Sequence, residues 1–201
     1  MSCLFVISAP SGAGKTSVIR TLLQTDINVT LSISYTTRPS RRDEQNSRDY
    51  FFVDRTTFRE MQKHGEFLES AEVYGNFYGT SRKWIEETLA AEQDVLLEID
   101  CQGAQQVRTL YPQAVSIFIL PPSMTTLKTR LEQRGMDESK TIERRLAAAC
   151  SEIAHLHRFD YVVVNHELET AAQEISCIIQ AERLKTMRQL VRQRSLIAEF
   201  S

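Results

Sequence analysis

The chain has 201 residues, 42% of them hydrophobic and 25% charged, so it can bury one substantial core and is too ordinary in composition for a disordered protein. Its formal charge of −2 lacks the basic excess of a nucleic-acid binder. No run approaches the roughly twenty apolar residues of a membrane span, and Met1-Ser2-Cys3-Leu4 carries no basic leader, so neither a membrane nor a secretory destination is expected.

The first predicted element is the apolar strand Leu4–Ile7, with Ala9-Pro10-Ser11-Gly12-Ala13-Gly14-Lys15-Thr16 close behind it. Backbone N–H groups of a glycine-rich turn wrap phosphates only where no Cβ blocks their approach, which is the reason for Gly12 and Gly14. Lys15 supplies a point charge to the outer phosphates, and the Thr16 hydroxyl is a ligand for Mg²⁺. A helix predicted from about Ser17 adds the anion preference of its N-terminus. Ala9 stands where the P-loop pattern has glycine, and alanine still allows the sharp turn while its φ stays negative. Two glycines also suit an ordinary strand-turn-helix connection, but Gly-x-Gly-Lys-Thr behind a hydrophobic strand favours the cradle.

Between Leu31 and Thr80 the pattern becomes short strands (Leu31–Ser34, Tyr50–Val53, Phe67–Val73), a short helix near Thr56–His64 and turn-rich connections. We read a small β-rich insertion near the carboxyl ends of the core strands, the alternative being an excursion that covers a sheet edge. Within Ser34-Tyr35-Thr36-Thr37-Arg38-Pro39-Ser40-Arg41, two arginines three apart suit a phosphate monoester, because a guanidinium fork binds a dianion bidentately. A solvated basic loop is the plain alternative. Tyr50 offers a phenolic donor. Strand alternation puts Phe67 and Glu69 on one face. If that face lines a pocket, Glu69 can accept from the ring N–H and 2-amino group of guanine, whereas adenine offers an acceptor there.

Further apolar runs at Asp94–Ile99, Ala114–Leu120 and Asp160–Val164 are each followed by a helical segment, which implies a parallel sheet covered on both faces. Glu98 and Asp100 end the second run and share a face. Helices are predicted over Ser123–Arg134, with Ser123 as N-cap, over Glu138–His157, and from Glu167 towards Ala198. Arg130 and Arg134 fall on one helical face, and Arg145 lies on the next helix. Arg183, Lys185, Arg188, Arg192 and Arg194 read as the solvated face of the long last helix. Cys3, Cys101, Cys150 and Cys177 form no C-x-x-C pair, the pattern of reduced thiols in a cytoplasmic protein. His155 and His157 diverge on a helix, so no joint metal site is expected.

The glycine-rich loop, the Ser34–Arg41 run, Asp49-Tyr50-Phe51-Phe52, Gly65-Glu66-Phe67-Leu68-Glu69 and Tyr74-Gly75-Asn76-Phe77-Tyr78-Gly79-Thr80 together resemble the guanylate kinase family. The resemblance continues through Glu98–Gly103, Arg130–Gly135 and Phe159-Asp160-Tyr161, and covers nearly the whole chain in order. It implies an α/β P-loop kinase fold: a parallel sheet core flanked by helices (residues 1–33 and 81–201), a GMP-binding insertion (34–80) and a helical lid (about 123–157). It implies transfer of the γ-phosphate of ATP to GMP or dGMP with Mg²⁺.

By that resemblance Ala9, Pro10, Ser11, Gly12, Ala13, Gly14, Lys15, Thr16, Arg134 and Asn165 bind ATP. Ser34, Arg38, Arg41, Tyr50 and Tyr78 hold the GMP phosphate, while Glu69, Thr80 and Asp100 read guanine. Of the catalytic residues the resemblance implies, Lys15, Arg130, Arg134 and Arg145 neutralise the migrating group and Arg38 aligns the acceptor. Mg²⁺ falls to Thr16 and, directly or through water, to Glu98, where the family commonly has Asp; partnership with nearby basic residues is the other reading of Glu98. Thr80, Met136 and His166 also depart from the residues usual at their positions. ATP and GMP are the expected partners, with no nucleic acid or membrane, and a homodimer stays open. A non-catalytic relative would lack Lys15 or the lid arginines, a GTPase would carry Asn-Lys-x-Asp, and a sugar-phosphate kinase has no use for Glu69 with Asp100.

Overall fold

A computed structural model of the chain describes residues 2–26, 28–133 and 139–200. The described chain runs β1 (Leu4–Ser8), α1 (Lys15–Thr25), β2 (Val29–Leu31), β3 (Tyr35–Thr36), β4 (Phe51–Phe52), α2 (Arg55–Lys63), β5 (Phe67–Val73), β6 (Asn76–Ser81) and α3 (Arg82–Ala90). It continues through β7 (Asp94–Glu98), α4 (Cys101–Leu110), β8 (Val115–Leu120), α5 (Met124–Gln133), α6 (Ser139–Ile153), β9 (Tyr161–Val164), α7 (Leu168–Arg183), α8 (Thr186–Arg192) and α9 (Arg194–Ala198).

Five strands form a parallel sheet in the order β2-β7-β1-β8-β9. β1 lies at its centre and is buried throughout, because alternate side chains feed two separate cores. Phe5 and Ile7 pack with Val18, Ile19 and Leu22 of α1 and Ile175 and Ile179 of α7. Leu4 and Val6 pack with Ile85 of α3 and Val107 of α4. This double burial is why the sequence of β1 is an unbroken apolar run.

A second sheet, in the order β4-β3-β6-β5, is built from the segment between β2 and α3. The expected strand Leu31–Ser34 does not belong to it. Val29–Leu31 instead pairs in parallel with β7 as the edge of the core sheet, and three residues are too few to show a period in sequence. β6 has no alternation that marks it as a strand in sequence; its pairing with β5 supplies what the local pattern lacks.

The expectation that Phe67 and Glu69 share a face is overturned. The pairing slips by one residue between them, so Phe67 opposes Ser81 while Glu69 opposes Thr80. Adjacent residues of β6 face opposite sides, and their partners follow. Phe67 stacks on Phe58, 4.5 Å between centroids, and Glu69 points the other way, to Thr80.

The long terminal helix is also overturned. It breaks at Leu184–Lys185, where Lys185 is extended (φ −54°, ψ 135°), and again at Gln193. Nor is its basic run uniformly solvated. Arg183 is half-buried and donates to Asp26 (2.7 Å) and Asp94 (2.6 Å), while Arg188 lies 3.6 Å from the buried Glu182. Helix α1 opens at Lys15, two residues before the expected start, and α6 stops at Ile153, before a 3₁₀ turn at Leu156–Arg158. Ser123 caps α5 as expected, accepting from the Thr126 N–H at 2.9 Å.

Candidate active site

The β1–α1 loop turns by a Pro10 C=O to Ala13 N–H hydrogen bond of 3.0 Å, then enters α1 through Gly14 at φ 92°. Ala9 keeps a φ outside the left-handed region, so its methyl is tolerated. Gly14 is required twice over: its backbone is left-handed, and a Cβ there would lie 2.5 Å from Asn165 Nδ2. Asn165, buried at the end of β9, donates Nδ2 to the Ala13 carbonyl at 2.7 Å. Arg130 of α5 donates to the same carbonyl and to the Asn165 carbonyl, each at 3.2 Å. These two residues clasp the loop from outside and line a pocket of about 390 Å³ with Gln133, His166 and Leu168.

On the other side of the loop, Lys15 Nζ donates to the Ile99 carbonyl at 2.8 Å, and Thr16 Oγ1 donates to Glu98 Oε1 at 2.6 Å. Hydroxyl and carboxylate therefore meet at the first turn of α1, a hard-oxygen pair suited to Mg²⁺. Mg²⁺ commonly needs only one or two protein ligands beside substrate phosphates. Among the described residues no group of three or more His, Cys, Asp or Glu side chains stands ready to hold a metal alone.

The loop faces the second sheet across a cavity of about 270 Å³. Its far wall carries Ser34, Arg41, Tyr50, Glu69 and Tyr78, Asp100 lines it from just past the end of β7, and α6 contributes Arg145 and Glu152. Burial pushes the Tyr50 phenol up to about 12, with the nearby Glu98 and Tyr78 acting in the same direction, so Tyr50 remains a donor. Burial likewise lifts Glu69 to about 7 against the pull of the Thr80 hydroxyl, which donates to Oε1 at 2.6 Å; Asp100 adds to the rise. Thr80 is fully buried behind Glu69 rather than on the cavity wall. Asp100 caps α4, accepting from Gly103 N–H at 2.9 Å and Gln102 Nε2 at 3.1 Å, so it serves the fold as well as the wall.

Arg38 is not on the wall. Its guanidinium lies over the rings of Tyr50 (5.4 Å) and Phe52 (5.9 Å) and is held by Glu44. Arg145 lies over Tyr74, 5.8 Å from the ring centroid, so α6 touches the second sheet's β5–β6 turn. Arg134 and Met136 lie outside the described residues.

Three residues of the site escaped the sequence reading. Glu44 had only a faint signal, an acid three residues after Arg41. Gly103 is a glycine in the first turn of a helix, which loses about 1 kcal/mol against alanine and so demands a reason. The reason is Glu69, whose Oε2 occupies the space a Cβ would take. Glu152 sits seven residues beyond Arg145, two turns along one helical face, and burial with the Asp100 charge lifts it to about 7.

A larger cavity, about 460 Å³, opens at the opposite ends of the core strands, beside Ser2, Asn28 and Gln93. Its arginines 183 and 188 are already paired with Asp26, Asp94 and Glu182, and it adjoins neither the loop nor the second sheet.

The family model for guanylate kinase matches residues 1–182. The chain is 83% identical to a guanylate kinase of Nitrosomonas europaea over the full length of both. It is 56% identical to one of Nitrosospira multiformis, over 98% of this chain and 94% of that one. The crystal structure of guanylate kinase from Anaplasma phagocytophilum superposes with a TM-score of 0.80 at 39% identity, covering 93% of this chain and 89% of that one. Fold and site thus define a nucleoside monophosphate kinase, a phosphotransferase. The chain belongs to the guanylate kinase family.

Proposed function

We propose that the chain transfers the γ-phosphate of ATP to GMP, and to dGMP, giving ADP and the guanosine diphosphate. The observation that carries this reading is the Glu69–Thr80 pair: a buried carboxylate, one oxygen bound by a hydroxyl at 2.6 Å, on the wall opposite the glycine-rich loop. Ionised, it accepts from the ring N–H and 2-amino group of guanine; adenine would set an acceptor against it, a mismatch worth about 10⁴-fold in discrimination.

The GMP phosphate is already a nucleophile near neutral pH, so the site's task is alignment and charge neutralisation rather than proton abstraction. The loop N–H groups and Lys15 hold the donor phosphates, for which Lys15 must leave the Ile99 carbonyl. Ser34, Arg41, Tyr50 and Tyr78 hold the acceptor phosphate from the cavity wall, and Arg38, set back over Tyr50, gives it an N–H donor not taken by Glu44 or Pro39. Arg134 and Arg145 neutralise the migrating group, joined by Arg130 once it leaves the Ala13 and Asn165 carbonyls. Thr16 and Glu98 would hold Mg²⁺, which supplies charge neutralisation on the donor phosphates when bound. Residues 34–80 act as the acceptor subdomain and about 123–157 as a lid, and closing both excludes water. The four free cysteines suit a reducing, cytoplasmic setting; among the described residues no helix is long and apolar enough to cross a membrane.

A coupled ADP-release assay with GMP, dGMP, AMP, UMP and CMP tests the reading. Turnover is expected with the two guanine nucleotides, to depend on Mg²⁺, and to drop by orders of magnitude in Lys15→Ala. Equal rates with AMP and GMP would remove Glu69 as the reader of the base.

A further inference from the structure

We infer that Glu44 is the positioning residue of the acceptor-phosphate grip: one carboxylate sets both the guanidinium of Arg38 and the main chain of Arg41. This rests on the reading of Arg38 and Arg41 as ligands of that phosphate.

Arg38 Nη2 donates to Glu44 Oε1 at 2.8 Å and to Oε2 at 2.9 Å, and its Nη1 donates to the Pro39 carbonyl at 2.7 Å. Two of its five N–H donors are thereby engaged, the one on Nη2 shared between both carboxylate oxygens, and the ring of Tyr50 covers the face of the guanidinium. The same Glu44 Oε2 accepts the Arg41 N–H at 2.8 Å, while the Glu44 N–H donates to the Arg41 carbonyl at 3.1 Å. Residues 41 and 44 thus close a turn by a reciprocal clasp. The Arg41 guanidinium is more loosely held, 4.0 Å from Glu44 Oε1 and 61% exposed, and reaches the cavity wall. One arginine is therefore fixed at its head and the other at its root, both by Glu44. Burial pushes Glu44 up, but the Arg38 hydrogen bond and the Arg41 N–H outweigh it, so the carboxylate stays ionised.

The opposite role would be a competitor that occupies Arg38 until a phosphate displaces it. Geometry favours positioning, because leaving would break a main-chain hydrogen bond as well as the ion pair and would release the turn that carries Arg41.

Titration calorimetry of GMP, guanosine and ATP into the parent, Glu44→Ala and Glu44→Gln decides between them. Glu44→Ala should weaken GMP by about ten-fold or more, leave guanosine and ATP within about two-fold, and raise the KM for GMP with kcat little changed. Glu44→Gln should fall between, since its carbonyl keeps the Arg41 clasp but cannot serve Arg38 with both oxygens. Tighter GMP binding in Glu44→Ala would establish the competitor and overturn the inference. Equal losses for guanosine and GMP would reduce Glu44 to a support of the fold, and so overturn it too. If Glu44→Ala does not fold, the GMP-to-guanosine ratio of Glu44→Gln carries the same decision. Arg38→Ala separates the layers: unchanged GMP binding there removes the underlying phosphate assignment, whereas a loss there beside a silent Glu44→Ala removes only the role of Glu44.

Discussion

Glu69 draws its chemistry from being buried. Its carboxyl titrates near 7 instead of the ordinary 4.5, and only the ionised form accepts two N–H groups from a base. The kcat/KM for GMP should therefore fall as pH drops through about 7, while ATP affinity changes little; a flat GMP profile between about pH 6 and 8 would remove that charge from recognition. The same shift acts on stability with a definite sign. The folded protein holds this proton more tightly than the unfolded chain, so stability is lost as pH rises from the ordinary carboxylate range through about 7. Glu69→Gln keeps a carbonyl for Thr80 and abolishes the titration. In thermal melts it should gain on the parent at about pH 8 relative to about pH 4, while losing GMP turnover by about 100-fold. Gly103→Ala tests the space around the same carboxylate. Alanine favours the helix by about 1 kcal/mol, yet its methyl strikes Glu69 Oε2. The KM for GMP should rise about ten-fold with the ATP KM unchanged, and an unaltered GMP KM would show that Glu69 can move aside at little cost.

At the level of elements, the glycine-rich loop is short, and its shape depends on what presses on it. β9 and α5 reach it from distant parts of the chain through Asn165 and Arg130, both on the Ala13 carbonyl. Asn165→Ala should destabilise the protein by about 1–2 kcal/mol in urea denaturation. It should also raise the KM for ATP while sparing GMP binding, and a loss confined to GMP would count against this division. The loop itself was legible because glycine, lysine and threonine at fixed spacing behind an apolar strand carry their chemistry locally. The clasp was not, since Asn165 lies 152 residues from Ala13. The bulge in β5 shows the same limit: alternation predicts the face of Glu69 only while the strand stays in register.

Across the whole molecule, chemistry gathers at the carboxyl ends of the parallel strands, and an ion-pair cluster closes the opposite ends. There Arg183, at the end of α7, joins Asp26 after α1 to Asp94 at the start of β7, and Asp94 also accepts the Cys3 N–H at 2.6 Å. Arg183→Ala leaves two facing carboxylates with no shared cation. It should lower the unfolding free energy by about 2–4 kcal/mol, a little under the value for a fully buried pair because Arg183 is partly exposed. kcat below the melting transition should hold; a drop in kcat without a change in stability would tie this end of the sheet to catalysis.

By itself, the sequence determined the parallel core, the glycine-rich loop and the two arginines of the acceptor run, because apolar continuity, glycine spacing and the guanidinium fork act over a few residues. Five motifs in order also carried the family. Tertiary structure decided which way Glu69 faces, that Thr80 and Gly103 stand behind it, and that Arg38 answers to Glu44. It decided too that the basic residues of the last helices are split between solvent and buried ion pairs. Each of these depends on a contact between separate elements or on a one-residue slip in pairing, and neither leaves a period in the chain.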